Sequence, residues 1–130
     1  MPSVNSIMQS HIVGVTRSTK LDAAIKLMER SSVSLLPVMH CGKLVGTVTM
    51  EEIKKALDLG LDRDHTNIDR IMSRKPQFVE ADMEIDEAAR VMIKNRIARL
   101  PVVNNRRDMV CVGIISSTEV LKNRNKNKDK

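Results

Sequence analysis

The chain has 130 residues, of which 42% are hydrophobic, 29% charged and 1% aromatic; this length suits one compact domain or two small, interdependent halves. The formal charge of +6 is uneven, because residues 122–130 (KNRNKNKDK) hold five basic groups and one acidic group. No apolar run approaches the roughly 20 residues that span a bilayer, and the opening MPSVNSIMQS lacks the basic start and apolar stretch of a signal peptide.

Phe78 is the sole aromatic residue, so Val, Ile, Leu, Ala and nine Met must build the core. Cys41 and Cys111 form no C-x-x-C pattern and read as reduced thiols of a cytoplasmic protein.

In chain order, a turn around Ile7-Met8 leads into an extended segment at Ile12–Val15. A helix follows, with Ser18 as candidate N-cap and Leu21, Ala24, Leu27 and Met28 at helical spacing. Leu35–Met39 reads as a strand, with Pro37 suited to a strand start, an edge or a bulge. Cys41-Gly42 turns the chain into a second strand, Leu44–Thr49, and a helix runs from Met50 to Leu59. The polar stretch Gly60–Asn67 is a linker. The order then recurs: Ile71-Met72, an extended Gln77–Val79, a helix capped by Asp82, strands Arg99–Val103 and Val110–Ser116, and a helix from Ser117 that frays into the tail.

This recurrence is an internal repeat. Residues 7–39 and 71–103 align without a gap at a shift of 64, and nine of the 33 positions are identical, against about two expected from average composition. The phrase SLLPVM at 34–39 answers ARLPVV at 98–103. Copy two then gains three residues, NNRRDM standing against HCG, and the match resumes between GTVTMEEI at 46–53 and GIISSTEV at 113–120. An insertion confined to a polar turn is what two copies of one fold should show.

Residues 1–64 with the linker, residues 65–121 and a basic disordered tail at 122–130 are the expected divisions. The expected fold class is α/β (α+β), as two β-α-β-β-α units packed sheet to sheet about a pseudo-two-fold axis.

The doubled motifs Ile-Met, Leu-Pro-Val at 36–38 and 100–102, and Gly46-Thr47-Val48-Thr49 with Gly113-Ile114-Ile115-Ser116 resemble the cystathionine-β-synthase (CBS) domain. The tandem resembles a CBS pair, or Bateman module, over residues 4 to about 121. The resemblance implies a non-catalytic regulatory module. It implies that AMP, ADP, ATP or S-adenosylmethionine binds in clefts between the units, with no required cofactor. It implies a homodimer that signals to a regulated protein.

The family's ligand motif reads Gly, a few apolar residues, Ser or Thr, two residues, then Asp. Thr49 and Glu52 follow Gly46 here, and Ser116 and Glu119 follow Gly113, with Glu in place of Asp in both. The resemblance gives the hydroxyl to phosphate and the carboxylate to ribose hydroxyls. Both sets are also capping boxes, which explains the same residues without a ligand. The remaining expected contacts are Val13, Leu36, Pro37, Gln77, Phe78, Arg99, Leu100 and Pro101. Arg99 replaces Leu35 of copy one and offers a planar fork to phosphate oxygens; Arg74 and Lys75 are weaker candidates.

Three scattered histidines and two cysteines show no zinc-ligand spacing, so no metal is expected. No phosphate-cradling Gly-rich loop or nucleophile elbow is present, so no enzyme is expected. Two alternatives stand: a structural dimer with non-binding clefts, and nucleic-acid binding through the basic tail, which a single aromatic residue does not help.

Overall fold

A computed structural model describes residues 2–128. The elements in order are α1 (Leu21–Ser31), β1 (Leu35–His40), β2 (Lys43–Thr49), α2 (Met50–Asp58), β3 (Val79–Glu80), α3 (Ile85–Asn95), β4 (Arg99–Val103), β5 (Cys111–Ser116) and α4 (Ser117–Lys128). Short 3-10 turns at Val4–Ser6 and Ile68–Arg70 precede the two Ile-Met pairs. The mixed α+β fold follows the predicted order, helix then hairpin then helix, twice over.

The two compact units are not the two sequence copies. One unit is Val13–Pro76; the other joins Met1–Ile12 to Gln77–Lys130. The Ile-Met segment of copy one thus belongs with the strands and helices of copy two, and the Ile-Met segment of copy two with those of copy one.

In the unit Val13–Pro76, β1 and β2 form an antiparallel hairpin that runs from Leu35 opposite Thr49 to His40 opposite Lys43. Cys41 and Gly42 at its tip both take positive φ, 52° and 79°, the geometry that two-residue hairpins favour. Val15 lies parallel beside β1, donating to the carbonyl of Pro37 and accepting from Met39. Pro37 stands just before a register irregularity between Val38 and Met39, where its missing N–H is tolerated. On the far edge of β2, Thr47 and Ser73 exchange backbone hydrogen bonds of 3.1 and 2.9 Å. The core holds Leu21, Met28, Leu36, Val38, Val48, Ile53 and Ile68.

In the other unit, β3 runs parallel to β4, and β4 antiparallel to β5, giving a three-stranded sheet. Pro101 again precedes an irregularity, between Val102 and Val103. Gln9 and Ile114 exchange backbone hydrogen bonds of 2.8 and 2.9 Å on the free edge of β5. Val4, Val79, Ile85, Met92, Leu100, Val102 and Ile115 form the core.

Gly46 and Gly113 are required by this docking. A Cβ on Gly46 would lie 2.5 Å from the Ser73 carbonyl oxygen and 3.1 Å from Met72 Sδ. On Gly113 it would lie 2.6 Å from Met8 Sδ and 2.9 Å from the Gln9 carbonyl oxygen. The Ile-Met segments run against the strands at these two glycines.

Ser18 and Asp82 do not cap the helices. The N-cap positions are Lys20 and Glu84, neither with a side-chain cap bond. Tertiary backbone takes the role: the first amides of α1, at Leu21 and Asp22, donate to the carbonyls of Thr66 and Arg63 at 3.0 and 2.8 Å. Ile85 at the start of α3 donates to Pro2 at 3.4 Å. The linker is therefore part of the cap of α1.

α4 continues to Lys128, so the stretch 122–128, disordered by composition, is helical in its backbone. The remaining tail residues, 129–130, lie outside the described residues. Among the described residues no helix is long and apolar enough to cross a membrane. Both cysteines are free; Cys41 is exposed, whereas burial pushes the Cys111 thiol pKa up.

Candidate functional site

The pairing registers bring the expected residues to one edge of each sheet. In the unit Val13–Pro76, Thr49 ends β2 opposite Leu35, and the segment Val13-Gly14 leads into the bridge beside Pro37 and Val38. Gly14 sits so close to Pro37 that an added Cβ would be 3.1 Å from its carbonyl oxygen. In the other unit, Ser116 ends β5 opposite Arg99, and Gln77-Phe78 leads into β3, where Val79 pairs with Val102. The edge thus joins the start of a parallel segment, the start of a central strand, and a strand end that passes directly into a helix.

These helix starts carry the polar groups. At α2 the capping box is complete: Thr49 Oγ1 accepts from the Glu52 N–H at 3.1 Å, and Glu52 Oε1 accepts from the Thr49 N–H at 2.9 Å. The Thr49 hydroxyl also donates to Glu52 Oε1 at 3.1 Å. At α4 only half of the box forms, with the Glu119 N–H donating to Ser116 Oγ at 3.3 Å. Among the described residues the Glu119 carboxylate has no hydrogen bond or ion pair. Thr49, Glu52, Ser116 and Glu119 are all partly exposed, so a solute can reach them.

The apolar members divide. Leu36 and Leu100 are 0% and 1% exposed and belong to the two cores, so they shape the edge from beneath. Pro37 and Pro101 are buried, while Val13 and Phe78 are half-buried and Gln77 is exposed. Arg99 is half-buried and, among the described residues, in no ion pair. Arg74 is engaged, since its Nη2 donates to the carbonyl and Oδ1 of Asp69 at 2.8 and 3.1 Å. Lys75 is exposed.

Sequence reasoning offered Arg106 only as a phosphate contact for nucleic acid and did not place it beside Phe78. Its guanidinium lies 5.6 Å from the centroid of the Phe78 ring, a cation–π distance, and its Nε is 3.1 Å from Glu80 Oε1. The signal available was the three-residue insertion in the hairpin of copy two, which contains Arg106-Arg107. Among the described residues, no cluster of three or more His, Cys, Asp or Glu could hold a metal ion.

Chemically, each edge combines amide N–H groups of a helix start, which favour an anion, with a hydroxyl and a carboxylate. In the unit with α4, the free carboxylate can accept hydrogen bonds from hydroxyls, and Arg99 adds a cation.

The CBS domain model matches residues 4–59 and 68–126. The homoserine O-acetyltransferase of Methanosarcina acetivorans is 31% identical over 118 residues, covering 90% of this chain and 21% of that enzyme. The chain spans about a fifth of that enzyme and 43% of an uncharacterized Methanocaldococcus jannaschii protein, MJ0188, to which it is 28% identical. Among solved structures, the CBS domain pair of protein MJ0100 in complex with 5′-methylthioadenosine and S-adenosyl-L-methionine superposes with a TM-score of 0.78. That pair is 27% identical, with coverage of 99% of this chain and 98% of that one. The CBS-pair protein CBSX2 of Arabidopsis thaliana gives a TM-score of 0.83 at 24% identity, covering 98% and 97%.

Proposed function

The chain belongs to the CBS-domain family, as a tandem pair, and on that premise we propose that it is a non-catalytic regulatory module that binds an adenosine-containing ligand. The observation that carries this reading is the edge at α4: a helix start, the Ser116 hydroxyl and an uncommitted Glu119 carboxylate together. The MJ0100 pair, 27% identical over nearly the whole of both chains, was solved with 5′-methylthioadenosine and S-adenosyl-L-methionine, which supports ligands of that class.

In this reading the Glu119 carboxylate accepts from the ribose hydroxyls. The α4 amides, the Ser116 hydroxyl and Arg99 receive a phosphate or another anionic group. Phe78 and Pro101 give apolar contact to the base at the α4 edge, as Val13 and Pro37 do at the α2 edge. Thr49 and Glu52 take the same parts at α2 once their mutual hydrogen bonds open. Binding to the native state then biases a surface that a regulated protein reads. The reading includes a cytoplasmic location, in keeping with free cysteines, and a homodimer.

Isothermal titration of the chain with 5′-methylthioadenosine, S-adenosylmethionine, AMP and ATP tests it. Saturable heat with at least one of these is expected, and absence of binding by all four would refute the reading.

A further inference from the structure

A polar depression of ≈ 370 Å³ lies at the end of the three-stranded sheet away from Arg99 and Ser116, lined by Ser3, Asn5, Ala81, Asp82, Asn104 and Val112. Its size is that of a small-ligand pocket, about 300–1,000 Å³. The repeat shows the same ground when it is filled. The Asn5 amide donates to the Ala81 carbonyl at 2.9 Å, as the Asp69 amide does to that of Arg17 at 3.0 Å. Ser3 bridges Glu84 as Asn67 bridges Lys20, and each of these positions is related to its counterpart by the shift of 64. In the unit Val13–Pro76 the Arg17 guanidinium lies beside Asp69, with Nε 3.9 Å from Oδ1, and Arg74 Nη2 meets the same oxygen at 3.1 Å. Lys20 Nζ donates to Asn67 Oδ1 at 2.7 Å.

Copy two keeps this backbone and removes those cations. Ala81 stands for Arg17, Ser10 for Arg74 and Glu84 for Lys20, while Asp82 replaces Ser18 and Asn5 replaces Asp69. Asp82 and Glu84 are exposed, and among the described residues neither makes an ion pair. Asn104 forms a fixed wall, because its Oδ1 accepts from the amides of Asn105 and Val110 at 2.8 and 3.0 Å. Arg106, in the adjoining hairpin, is already held by Glu80 at 3.1 Å. The depression therefore has acids where copy one has a cation and a hydroxyl, and a methyl group where copy one has a guanidinium.

We propose that this depression receives the guanidinium of an arginine side chain from a partner polypeptide. The occupant of the matching ground in copy one is such a side chain. A guanidinium presents five N–H donors in a flat fork and no acceptor. The depression offers acceptors to it: the Asp82 carboxylate, the Ser3 hydroxyl and the Asn5 carboxamide oxygen, with the charge of Glu84 alongside. Ala81 and Val112 give apolar contact to the aliphatic stem. Lysine is a compact, strongly hydrated point charge and engages fewer of these acceptors at once. Because Ser116 and Glu119 belong to the opposite end of the sheet, adenosyl ligand binding and arginine binding succeed or fail separately.

The test is an amide-resolved NMR titration of the full, isotope-labelled chain at low salt with the capped peptide acetyl-Gly-Arg-Gly-amide. Saturable shifts are expected at the amides of Asn5, Ala81, Asp82 and Asn104. A control peptide with citrulline, which has the shape of arginine without its charge, should bind at least about tenfold more weakly, the range for hydrogen bonds to a charged group. Asp82→Asn should lose about tenfold in affinity with an unchanged melting temperature. Ala81→Arg, which restores the side chain of copy one, should abolish binding by filling the depression from within. Three outcomes overturn the proposal. They are no saturable shift at these amides, equal affinity for the citrulline peptide or in Asp82→Asn, and binding of free L-arginine that the capped peptide does not share.

Discussion

The carboxylate of Glu52 turns back onto Thr49, with Oε1 accepting from the Thr49 amide at 2.9 Å and from its hydroxyl at 3.1 Å. Glu119 does not do this to Ser116, whose hydroxyl accepts one bond at 3.3 Å. A complete box satisfies two orphan groups at a helix start, and half a box satisfies one. Thr49→Ala should therefore lower stability by about 1 kcal/mol, and Ser116→Ala by less, measured by urea denaturation of each variant.

The same asymmetry orders the two sites in ligand binding. A ligand at α2 must displace hydrogen bonds that Glu52 already makes, whereas one at α4 meets a free acceptor. Glu119→Gln should weaken adenosyl ligand binding by about tenfold, the range for a lost hydrogen bond to a charged group. Glu52→Gln should change the tighter site less than about twofold by the same reasoning. Calorimetric titration of both variants checks this, and the reverse order would place the principal site at α2.

Gly46 and Gly113 hold the Ile-Met segments against the strands. Because a Cβ at either would meet a backbone carbonyl oxygen, at 2.5 and 2.9 Å, the segment must shift as a whole. Gly113→Ala and Gly46→Ala should each destabilise by about 1–3 kcal/mol, as overpacking does. Gly42→Ala is the control for backbone strain without a clash, since nothing lies within 4 Å of its Cβ position while its φ is +79°. Thermal melts of the three variants separate packing from conformation.

Asp22 bridges its own helix and the linker. Its carboxylate meets Lys26 Nζ at 2.9 Å and accepts from Arg63 Nη2 at 2.7 Å. The Lys26 hydrogen bond first, then that of Arg63, hold the Asp22 pKa below the usual carboxylate range. A lowered folded pKa contributes stability above the unfolded value of about 3.9, lost as pH falls through the folded one. Urea midpoints from about pH 2 to 7 should fall on the acid side. Asp22→Asn should be less stable at neutral pH and show a shallower acid limb.

The fold was legible because a repeat is a local comparison: Leu36-Pro37-Val38 and Leu100-Pro101-Val102 announce the same strand twice, whatever surrounds them. The exchange of the Ile-Met segments was not legible. Met8 meets Gly113 across more than a hundred residues, and neither residue alone specifies the other.

Helix starts show the same divide. Thr49 and Ser116 were readable as caps because their partners stand three residues away. Ser18 and Asp82 misled because the amides of α1 and α3 find carbonyls of Arg63, Thr66 and Pro2 instead. At the site, Leu36 and Leu100 looked like ligand contacts by position along the strand, yet alternate strand residues face opposite sides, and both face the core. Arg106 reached Phe78 through an inserted turn that has no counterpart in copy one.

The most direct test of the central claim is a thermal-shift series on the purified chain with 5′-methylthioadenosine, S-adenosylmethionine, AMP, ADP, ATP and GTP. Selective binding to the native state raises stability with ligand concentration. The account predicts a saturable rise in melting temperature with at least one adenosyl ligand, none with GTP, and loss of the rise in Glu119→Gln. An unchanged melting temperature with every adenosyl ligand up to roughly millimolar concentration would contradict it and leave Thr49 and Ser116 as helix caps alone.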